Sequence, residues 1–357
     1  MRGIYAADVG DGLCLAVSTI FGGAMQIDCG GETPEKARDG MRRILNTFCK
    51  PTVFLLSHFH IDHYNGLLYY SFNPLSIPRF RIEEAYYPRL PEFPKRKEFL
   101  SELFAMNLRV FGNETGIMEY DFLEAISRIN GGSSFSWKGL SKGDSINVRG
   151  SSFEILWPPR FIDGGKTPAF VEQALRDFEH ALEDEETKQL YRKVTEEDNT
   201  REYLGDEMKK RTYVSNRTER SIRDEPIYQR LYPRTKGRKL PACVMKANKS
   251  LRKAANHFGL ALFEDNRISF LGDAEKFELE SIASDLALKG RSMFDVLVTP
   301  HHGTHWHKGL EQIRCNYSVT SNGLKLCSKM KTGFKKIASK PLATCANGDI
   351  VLNQNLQ

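Results

Sequence analysis

Apolar and polar positions follow two different periods along the first 65 residues of the chain. Short apolar stretches at 3–9, 13–18 and 24–28 are bounded by glycine and aspartate, which is typical of β-strands. Residues 33–50 carry an apolar stripe at helical spacing that begins with a capping threonine and a proline in the first turn. A buried-type strand is predicted over 52–57, and three histidines follow it within six residues.

The C-terminal third of the chain shows a similar order of strands and helices. Apolar stretches at 259–264 and 267–271 predict a hairpin that ends in a Gly-Asp pair, and a buried strand over 294–299 runs into a Pro-His-His-Gly motif. The alternation indicates an α/β protein. Further strands are predicted at 82–88, 145–148, 152–157, 317–321, 343–345 and 350–352, and helices at 96–108, 119–129, 170–194, 276–288 and 327–339.

Residues 164–253 differ from the rest of the chain in charge. The stretch 170–194 is acidic, whereas 209–253 is rich in lysine and arginine with interleaved tyrosines. We therefore expect a single domain, 1–357, that carries a charged insertion at 164–253. Basic side chains neutralise phosphates and tyrosines stack on bases, so nucleic acid is an expected partner of 209–253. The alternative is a solvated surface that balances the acidic helix.

Composition restricts the class of protein and the compartment to be expected. Hydrophobic residues make up 40% of the chain, enough for a large core, and the net charge of +6 suits an anionic substrate without requiring one. No apolar run approaches the roughly 20 residues of a membrane span, and the N-terminus lacks signal-peptide character, so we expect a cytoplasmic protein with no membrane partner. Seven scattered cysteines without a CxxC pair predict reduced thiols rather than disulfides.

A dense set of metal-ligand side chains follows the strand at 52–57, namely His58, His60, Asp62 and His63. Alternate residues of an extended loop point the same way, so His58 and His60 are expected to share one metal, and Asp62 and His63 a second. A single histidine here would suit a core position, but four ligand-type residues within six indicate a metal site. Imidazole and carboxylate favour zinc, with manganese as the alternative.

Two further groups are candidates for the other half of this site. Asp273 lies in the turn after a buried strand, where a carboxylate can bridge two cations; the alternative is that it caps the helix at 276–288. His301 and His302 end the next buried strand, and a surface loop is the alternative there. Loops at strand ends present functional side chains, and two metals about 4 Å apart can activate a shared water.

These motifs resemble those of the metallo-β-lactamase superfamily, whose HxHxDH signature stands at 58–63. The closer resemblance is to the soluble hydrolase domain of bacterial competence DNA-uptake channel proteins, through residues 8–12, 26–30, 270–275 and 300–304. The resemblance implies a four-layer αββα sandwich with a dinuclear site at the edge between its two sheets. The family's Asn-x-Tyr-Gly-His-Pro stretch near the C-terminus is absent here.

The resemblance also implies roles for individual residues. Asp28, Asp8 and Asn256 would support the ligands from behind. The superfamily's middle metal-binding histidine has no clear counterpart; His257 could supply it, or could be an ordinary residue at the start of a strand. The implied ligands are His58, His60, Asp62, His63, Asp273 and one of His301 and His302.

The function expected from these observations is that of a metal-dependent hydrolase with two divalent ions, zinc or manganese. A bridging hydroxide would attack phosphorus in line, and Asp62 would orient it. The first hypothesis is a phosphodiesterase acting on nucleic acid, that is, a nuclease. One alternative is a hydrolase of small phosphodiesters or esters whose pocket is walled by residues 70–135. The other is a non-enzymatic, metal-containing subunit of a larger complex.

Overall fold

The computed structural model describes residues 3–72, 79–111, 118–197, 211–213 and 240–353. Its strands are β1 (Gly3–Ala6), β2 (Cys14–Ser18), β3 (Ala24–Cys29), β4 (Val53–Leu55), β5 (Glu84–Pro88), β6 (Phe135–Leu140), β7 (Ser145–Val148), β8 (Ser151–Trp157), β9 (Arg211–Tyr213), β10 (Ala261–Glu264), β11 (Ile268–Phe270), β12 (Met293–Val298), β13 (Arg314–Thr320), β14 (Ala338–Ala343) and β15 (Ile350–Asn353).

The helices connect these strands, and several of them follow one another without a strand between. They are α1 (Pro34–Thr47), α2 (Ile61–Phe72), α3 (Arg96–Phe111), α4 (Met118–Ile129), α5 (Ala169–Ala181), α6 (Glu185–Glu197), α7 (Ala242–Asn256), α8 (Lys276–Leu288), α9 (Leu324–Cys327), α10 (Gly333–Ile337) and α11 (Thr344–Asn347).

The strands form two mixed sheets. The first has the order β15-β1-β2-β3-β4-β5-β6-β9 and the second the order β14-β13-β12-β11-β10-β8-β7. Strands β3 to β6 run parallel in the first sheet, and β11 to β14 run parallel in the second. Parallel strands end at the same edge of a sheet, so the residues that follow β3, β4, β11 and β12 are brought to common edges.

The apolar core has three layers. One lies between the two sheets, and the other two lie between a sheet and the helices on its outer face. Between the two sheets, residues such as Leu15 and Ile27 of the first sheet share a cluster with Phe153 and Val298 of the second. A second cluster packs α1, α2 and α4 on the outer face of the first sheet, and a third packs α8 and α10 on the outer face of the second. The four-layer αββα arrangement predicted from the sequence is confirmed.

Four helices, α3, α5, α6 and α7, pack mainly on one another rather than on either sheet. They enclose their own apolar cluster, which includes Phe99, Phe178 and Leu251. Phe59, inside the histidine motif, packs against this cluster and also against the core of the first sheet. The helical group therefore adjoins the histidine motif. The proposed insertion boundaries stay a prediction, and most of 209–253 lies outside the described residues.

Several predicted elements differ from those observed. The helix predicted at 170–194 is two helices, because Asp184 accepts a hydrogen bond from the Thr187 backbone N–H (3.0 Å) and caps a new helix, α6. The helix predicted at 327–339 is absent, and the short helices α9 and α10 lead into β14 instead. Strand β6 and helix α7 were not predicted; α7 was hidden within the basic stretch, although its buried face is apolar.

The prediction that all cysteines are reduced is wrong for one pair. Cys327 and Cys345 form a disulfide, whereas the five other cysteines are free. These two residues belong to α9 and α11, which follow the adjacent parallel strands β13 and β14. Sequence spacing gave no sign of this proximity, because it arises from strand pairing. None of the described helices has the length and apolar character needed to cross a membrane.

The buried carboxyl group of Glu102, in α3, is expected to destabilise the folded protein when it is ionised. Burial raises the pKa of Glu102 from 4.5 to about 8, and Glu179 and Glu98 act in the same direction. The unfolded carboxyl therefore loses its proton more readily, and folding stability falls as pH rises from about 4.5 to 8. Glu102→Gln is expected to raise the free energy of unfolding by about 2 kcal/mol at pH 8 and to leave it unchanged at pH 4.

Urea unfolding of the two proteins at both pH values measures this difference. Glu183→Gln, at an exposed position, is the matched control and should change stability at neither pH. Equal stabilisation by Glu102→Gln at pH 4 and pH 8 would contradict the assignment, since the penalty would then have no link to ionisation.

Candidate metal centre

The histidine motif turns from strand β4 into helix α2 over a few residues. Helix α2 begins at Ile61, and the His63 backbone N–H donates to the His60 carbonyl (2.9 Å), so the motif is part loop and part first helical turn. Gly30 and Gly12 lie against this turn. A Cβ at Gly30 would overlap the carbonyl oxygen of Asp62 and the Cα of His63, so only glycine permits this approach. The glycine turns thus shape the motif's position.

Hydrogen bonds join the two sheets at the same edge. The Leu260 backbone N–H donates to the Ser57 carbonyl (2.8 Å), and the Ser321 hydroxyl donates to the Gly12 carbonyl (2.8 Å). The His301 backbone N–H donates to the Gly272 carbonyl (3.0 Å) within the second sheet. The end of β4 is thereby joined to the start of β10, and the segments that follow β11 and β12 are joined to each other.

Asp28, at the end of β3, lies behind His63. Its carboxylate accepts hydrogen bonds from the His63 Nδ1–H (2.6 Å), the Ser57 hydroxyl (2.5 Å) and the Ser57 backbone N–H (2.7 Å). Asp28 adopts a left-handed conformation (φ 56°) and is fully buried. The carboxylate fixes the tautomer of His63, since a proton on Nδ1 leaves the Nε2 lone pair free to bind a metal.

One group of candidate ligands consists of His58, His63 and Asp273, all of them buried. The Asp273 carboxylate lies 3.6 Å from His58 Nε2 and 3.9 Å from His63 Nε2. Their ligand atoms all lie within 4.8 Å of one another. One cation could contact all three.

A second group consists of Asp62, His63 and His302, with the same spacing limit of 4.8 Å between ligand atoms. His302 Nδ1–H donates to the Ser321 carbonyl (2.8 Å), which leaves its Nε2 for a metal. His63 thus belongs to both groups, and the two candidate positions adjoin.

Both histidines of the Pro-His-His-Gly motif approach the centre. His301 Nδ1 lies 3.7 Å from the Asp273 carboxylate, whereas His302 is grouped with Asp62 and His63. His301 and His302 have left-handed backbone angles (φ 48° and 55°), which splay their rings to an interplanar angle of 83°. Such strain in non-glycine residues is retained at functional sites. The sequence left the choice between them open, and the structure brings both rings to the centre on different sides.

The donor set fits divalent cations. His58 Nε2, His63 Nε2, His301 Nδ1 and Asp62 Oδ1 are buried and have no hydrogen-bond partner in the described part of the chain. Buried polar atoms without partners are rare and costly, and four that converge on one place could all be satisfied by cations bound there. Burial holds the pKa of His58 well below its usual value, so its nitrogen keeps a lone pair. Two nitrogen-rich groups with carboxylates suit zinc or manganese.

The acidity of Asp273 agrees with this interpretation. Burial alone raises the pKa of a carboxyl group, but His58, His301, His63 and His302 together hold the pKa of Asp273 well below its ordinary value. The ionised carboxylate is therefore the form that lies among the histidines. An ionised carboxylate has two oxygens with which to contact two cations.

His60 is arranged differently from the other histidines of the motif. Its Nε2–H donates to the Arg252 carbonyl (3.0 Å), and its ring centroid lies 4.6 Å from that of His58. It is not a member of either group, in contrast to the expected pairing with His58. A proton on Nε2 leaves the Nδ1 lone pair as the atom through which His60 could bind a metal.

His257 and Asp8 are held away from the two groups. His257 Nδ1 lies 2.7 Å from Glu278, and its ring stacks on Phe170 at 4.0 Å, so its contacts are with α8 and the start of α5. Asp8 is exposed; its carboxylate accepts a hydrogen bond from the Gly10 backbone N–H (3.3 Å). Neither residue contacts a candidate ligand in the part of the chain that the structure describes.

Asn256 is buried at the end of α7, and its carbonyl accepts a hydrogen bond from the Gly259 backbone N–H (3.0 Å). Its side-chain Oδ1 has no hydrogen-bond partner among the described residues. Three supporting residues were not singled out from the sequence: Ser57, Ser321 and Arg252. Only Ser57 had a local signal, since it directly precedes the histidine motif.

Comparisons with known proteins find similarity to solved structures only. No protein-family model and no curated protein matches this chain. The metallo-β-lactamase fold protein YhfI from Bacillus subtilis is 7% identical, with a TM-score of 0.40 over 98% of this chain and 99% of that chain. MEM-A1, a subclass B3 metallo-β-lactamase from a soil metagenome library, is 13% identical, with a TM-score of 0.25 over 46% of this chain and 56% of that one. These likenesses are too distant to assign an activity.

Proposed function

We propose that this protein is a metal-dependent hydrolase that binds two divalent cations, zinc or manganese. The observation that supports this most strongly is the convergence of buried, unpartnered ligand atoms at the ends of β4, β11 and β12. The proposed ligands are His58, His60, Asp62, His63, Asp273, His301 and His302.

Several residues in and around the centre have a definable role. Asp273 lies within 4 Å of His58, His301 and His63, and His63 belongs to both groups of candidate ligands, which suits a bridging carboxylate. Asp28 and Ser57 hold His63 in one tautomer. Bound there, divalent cations would act as Lewis acids that lower the pKa of water and neutralise charge on substrate oxygens. Asp62 is partly exposed and offers a carboxylate oxygen to orient the attacking water.

The proposed substrate is a phosphodiester of nucleic acid. The resemblance to the competence-type hydrolase domain supports it, and so do the cations close to the centre. Burial lowers the pKa of His305 to about 4, and the charges of His301, Lys331 and Lys253 act in the same direction, so two lysines lie near this region. Phosphodiester hydrolysis needs little beyond positioning and charge stabilisation, both of which this site offers.

A cleavage assay with the metal-loaded protein tests the proposal. Wild-type protein with zinc or manganese is expected to cleave single- or double-stranded DNA and to turn over bis(p-nitrophenyl) phosphate. Asp62→Ala should lower kcat by roughly a hundredfold or more, since oriented acid–base and metal contacts are each worth that much. Asp265→Ala, in the exposed turn between β10 and β11, is the matched control and should behave as wild type.

The other outcomes separate the alternatives. Turnover of bis(p-nitrophenyl) phosphate without DNA cleavage would replace nucleic acid by a small phosphodiester. Two bound metals per chain with no turnover of any substrate would contradict the hydrolase proposal and favour a metal-containing subunit. Equal cleavage by Asp62→Ala and wild type would refute the role of this centre.

A further inference from the structure

We infer that Arg252, from helix α7, anchors an anionic oxygen of the substrate beside the metal centre. The inference rests on the proposed function in one respect, that the substrate carries a phosphate. It adds a recognition residue from outside the two sheets.

A hydrogen bond to the backbone carbonyl of Arg252 holds this residue next to the histidine motif. Its carbonyl accepts the His60 Nε2–H (3.0 Å), so the last turn of α7 is tied to the histidine motif. Helix α7 is held by the buried side chains of Val244, Leu251 and Ala254, which belong to the cluster of the helical group. The end of α7 is thereby a wall of the centre.

The side chain of Arg252 lies beside the centre and makes no hydrogen bond to Asp62. Its guanidinium lies 3.8 Å from Asp62 Oδ1, which is too long for a hydrogen bond, and the side chain is 37% exposed. A guanidinium carries five donors in a planar fork that fits the oxygens of a phosphate. When Asp62 contributes its charge to a cation, these donors are available to another anion.

Other cations on α7 are placed differently. Lys246 pairs with Asp177 of α5 at 2.9 Å, and Lys249 is exposed. Lys253 lies 3.9 Å from Glu275, which is not a candidate ligand, and is 63% exposed. Arg252 is therefore the α7 cation that reaches a candidate metal ligand within the described residues.

The opposing interpretation is that Arg252 only neutralises Asp62. The two roles differ in what they predict. A purely structural pair would affect metal content or stability, whereas a substrate anchor would affect the binding of anions and KM while the metals stay in place.

The experiment compares Arg252→Gln and Arg252→Lys with wild type and with Lys249→Gln as the matched control. All four proteins are loaded with zinc, their metal content is measured, and the Kd of inorganic phosphate is determined by calorimetry. KM and kcat are then measured with bis(p-nitrophenyl) phosphate. Both Arg252 variants keep the backbone carbonyl that His60 contacts.

We expect Arg252→Gln to weaken phosphate binding and to raise KM by roughly 10- to 100-fold, with a smaller change in kcat and two metals retained. Arg252→Lys should fall between, because it keeps the charge and loses the fork. Lys249→Gln should match wild type. Phosphate binding is measured without turnover, so a loss of binding in Arg252→Gln supports the anchor even if wild type hydrolyses nothing.

Three results would overturn the inference. Wild type and Arg252→Gln could bind phosphate equally with equal KM, which would remove any contact with the anion. Arg252→Gln could lose a metal, which would make its role structural. Wild type could bind no phosphate at all in the metal-loaded state, which would leave the anchor without a ligand.

Discussion

Asp273→Ala is expected to lose both metals and to lower kcat by roughly three orders of magnitude. The Asp273 carboxylate lies within 4 Å of His58, His63 and His301, so its removal affects both sides of the centre. The remaining ligands would be the histidines and Asp62, so the centre would keep a single carboxylate to balance the charge of its cations. Cations supply several kcal/mol of charge stabilisation, and that contribution disappears with them.

Elemental analysis after gel filtration measures the metal content, and bis(p-nitrophenyl) phosphate turnover measures the rate. Asp273→Asn is the companion variant, because it keeps the shape of the side chain and removes its charge; circular dichroism checks that both variants fold. Two bound metals and a near wild-type rate in Asp273→Asn would show that the carboxylate does not bridge.

The candidate site could largely be predicted from the sequence for a physical reason. Asp28, Asp273 and the two histidine motifs all follow apolar stretches, and strand ends that share a sheet edge bring such residues together. The pattern of a strand followed by ligand-type residues therefore carries three-dimensional information. The same reasoning could not choose between His301 and His302, because the choice depends on two consecutive left-handed residues.

Contacts between distant segments could not be predicted in this way. The carbonyl of Arg252 contacts His60 although 192 residues separate them, and the basic composition of 209–253 disguised the apolar face of α7. His257 was a candidate ligand by its spacing before Asp273, yet Glu278 of α8 holds it by a hydrogen bond within a different network. Composition indicated the basic surface of α7, whereas the packing of its apolar face determines its position in the fold.

The helical group therefore serves more than one purpose. Its apolar cluster stabilises α7, and α7 in turn supplies a carbonyl to His60 and a guanidinium beside Asp62. Phe59 packs against the same cluster from within the histidine motif. A change in this group is thus expected to alter the centre, although the metal ligands come from the two sheets.

The second large effect is expected at His302. His302→Ala should leave one metal per chain and lower kcat by at least about 100-fold, since the loss of a mere supporting residue already costs 10- to 100-fold. The Ser321 carbonyl fixes the His302 ring, so that Nε2 joins Asp62 and His63 around the second position. His301→Ala should instead weaken the metal held beside Asp273, because His301 Nδ1 is one of the buried atoms on that side that have no hydrogen-bond partner among the described residues.

Cobalt substitution distinguishes the two positions, because each bound Co(II) adds its own visible absorption during titration. Wild type should saturate at two equivalents, His302→Ala at one, and His301→Ala at two with a weaker first step. His180→Ala, at an exposed position on α5, is the control and should titrate as wild type. If His302→Ala and His301→Ala titrate alike, the two histidines do not bind metals at separate positions. The assignment of one metal to each of them would then be wrong.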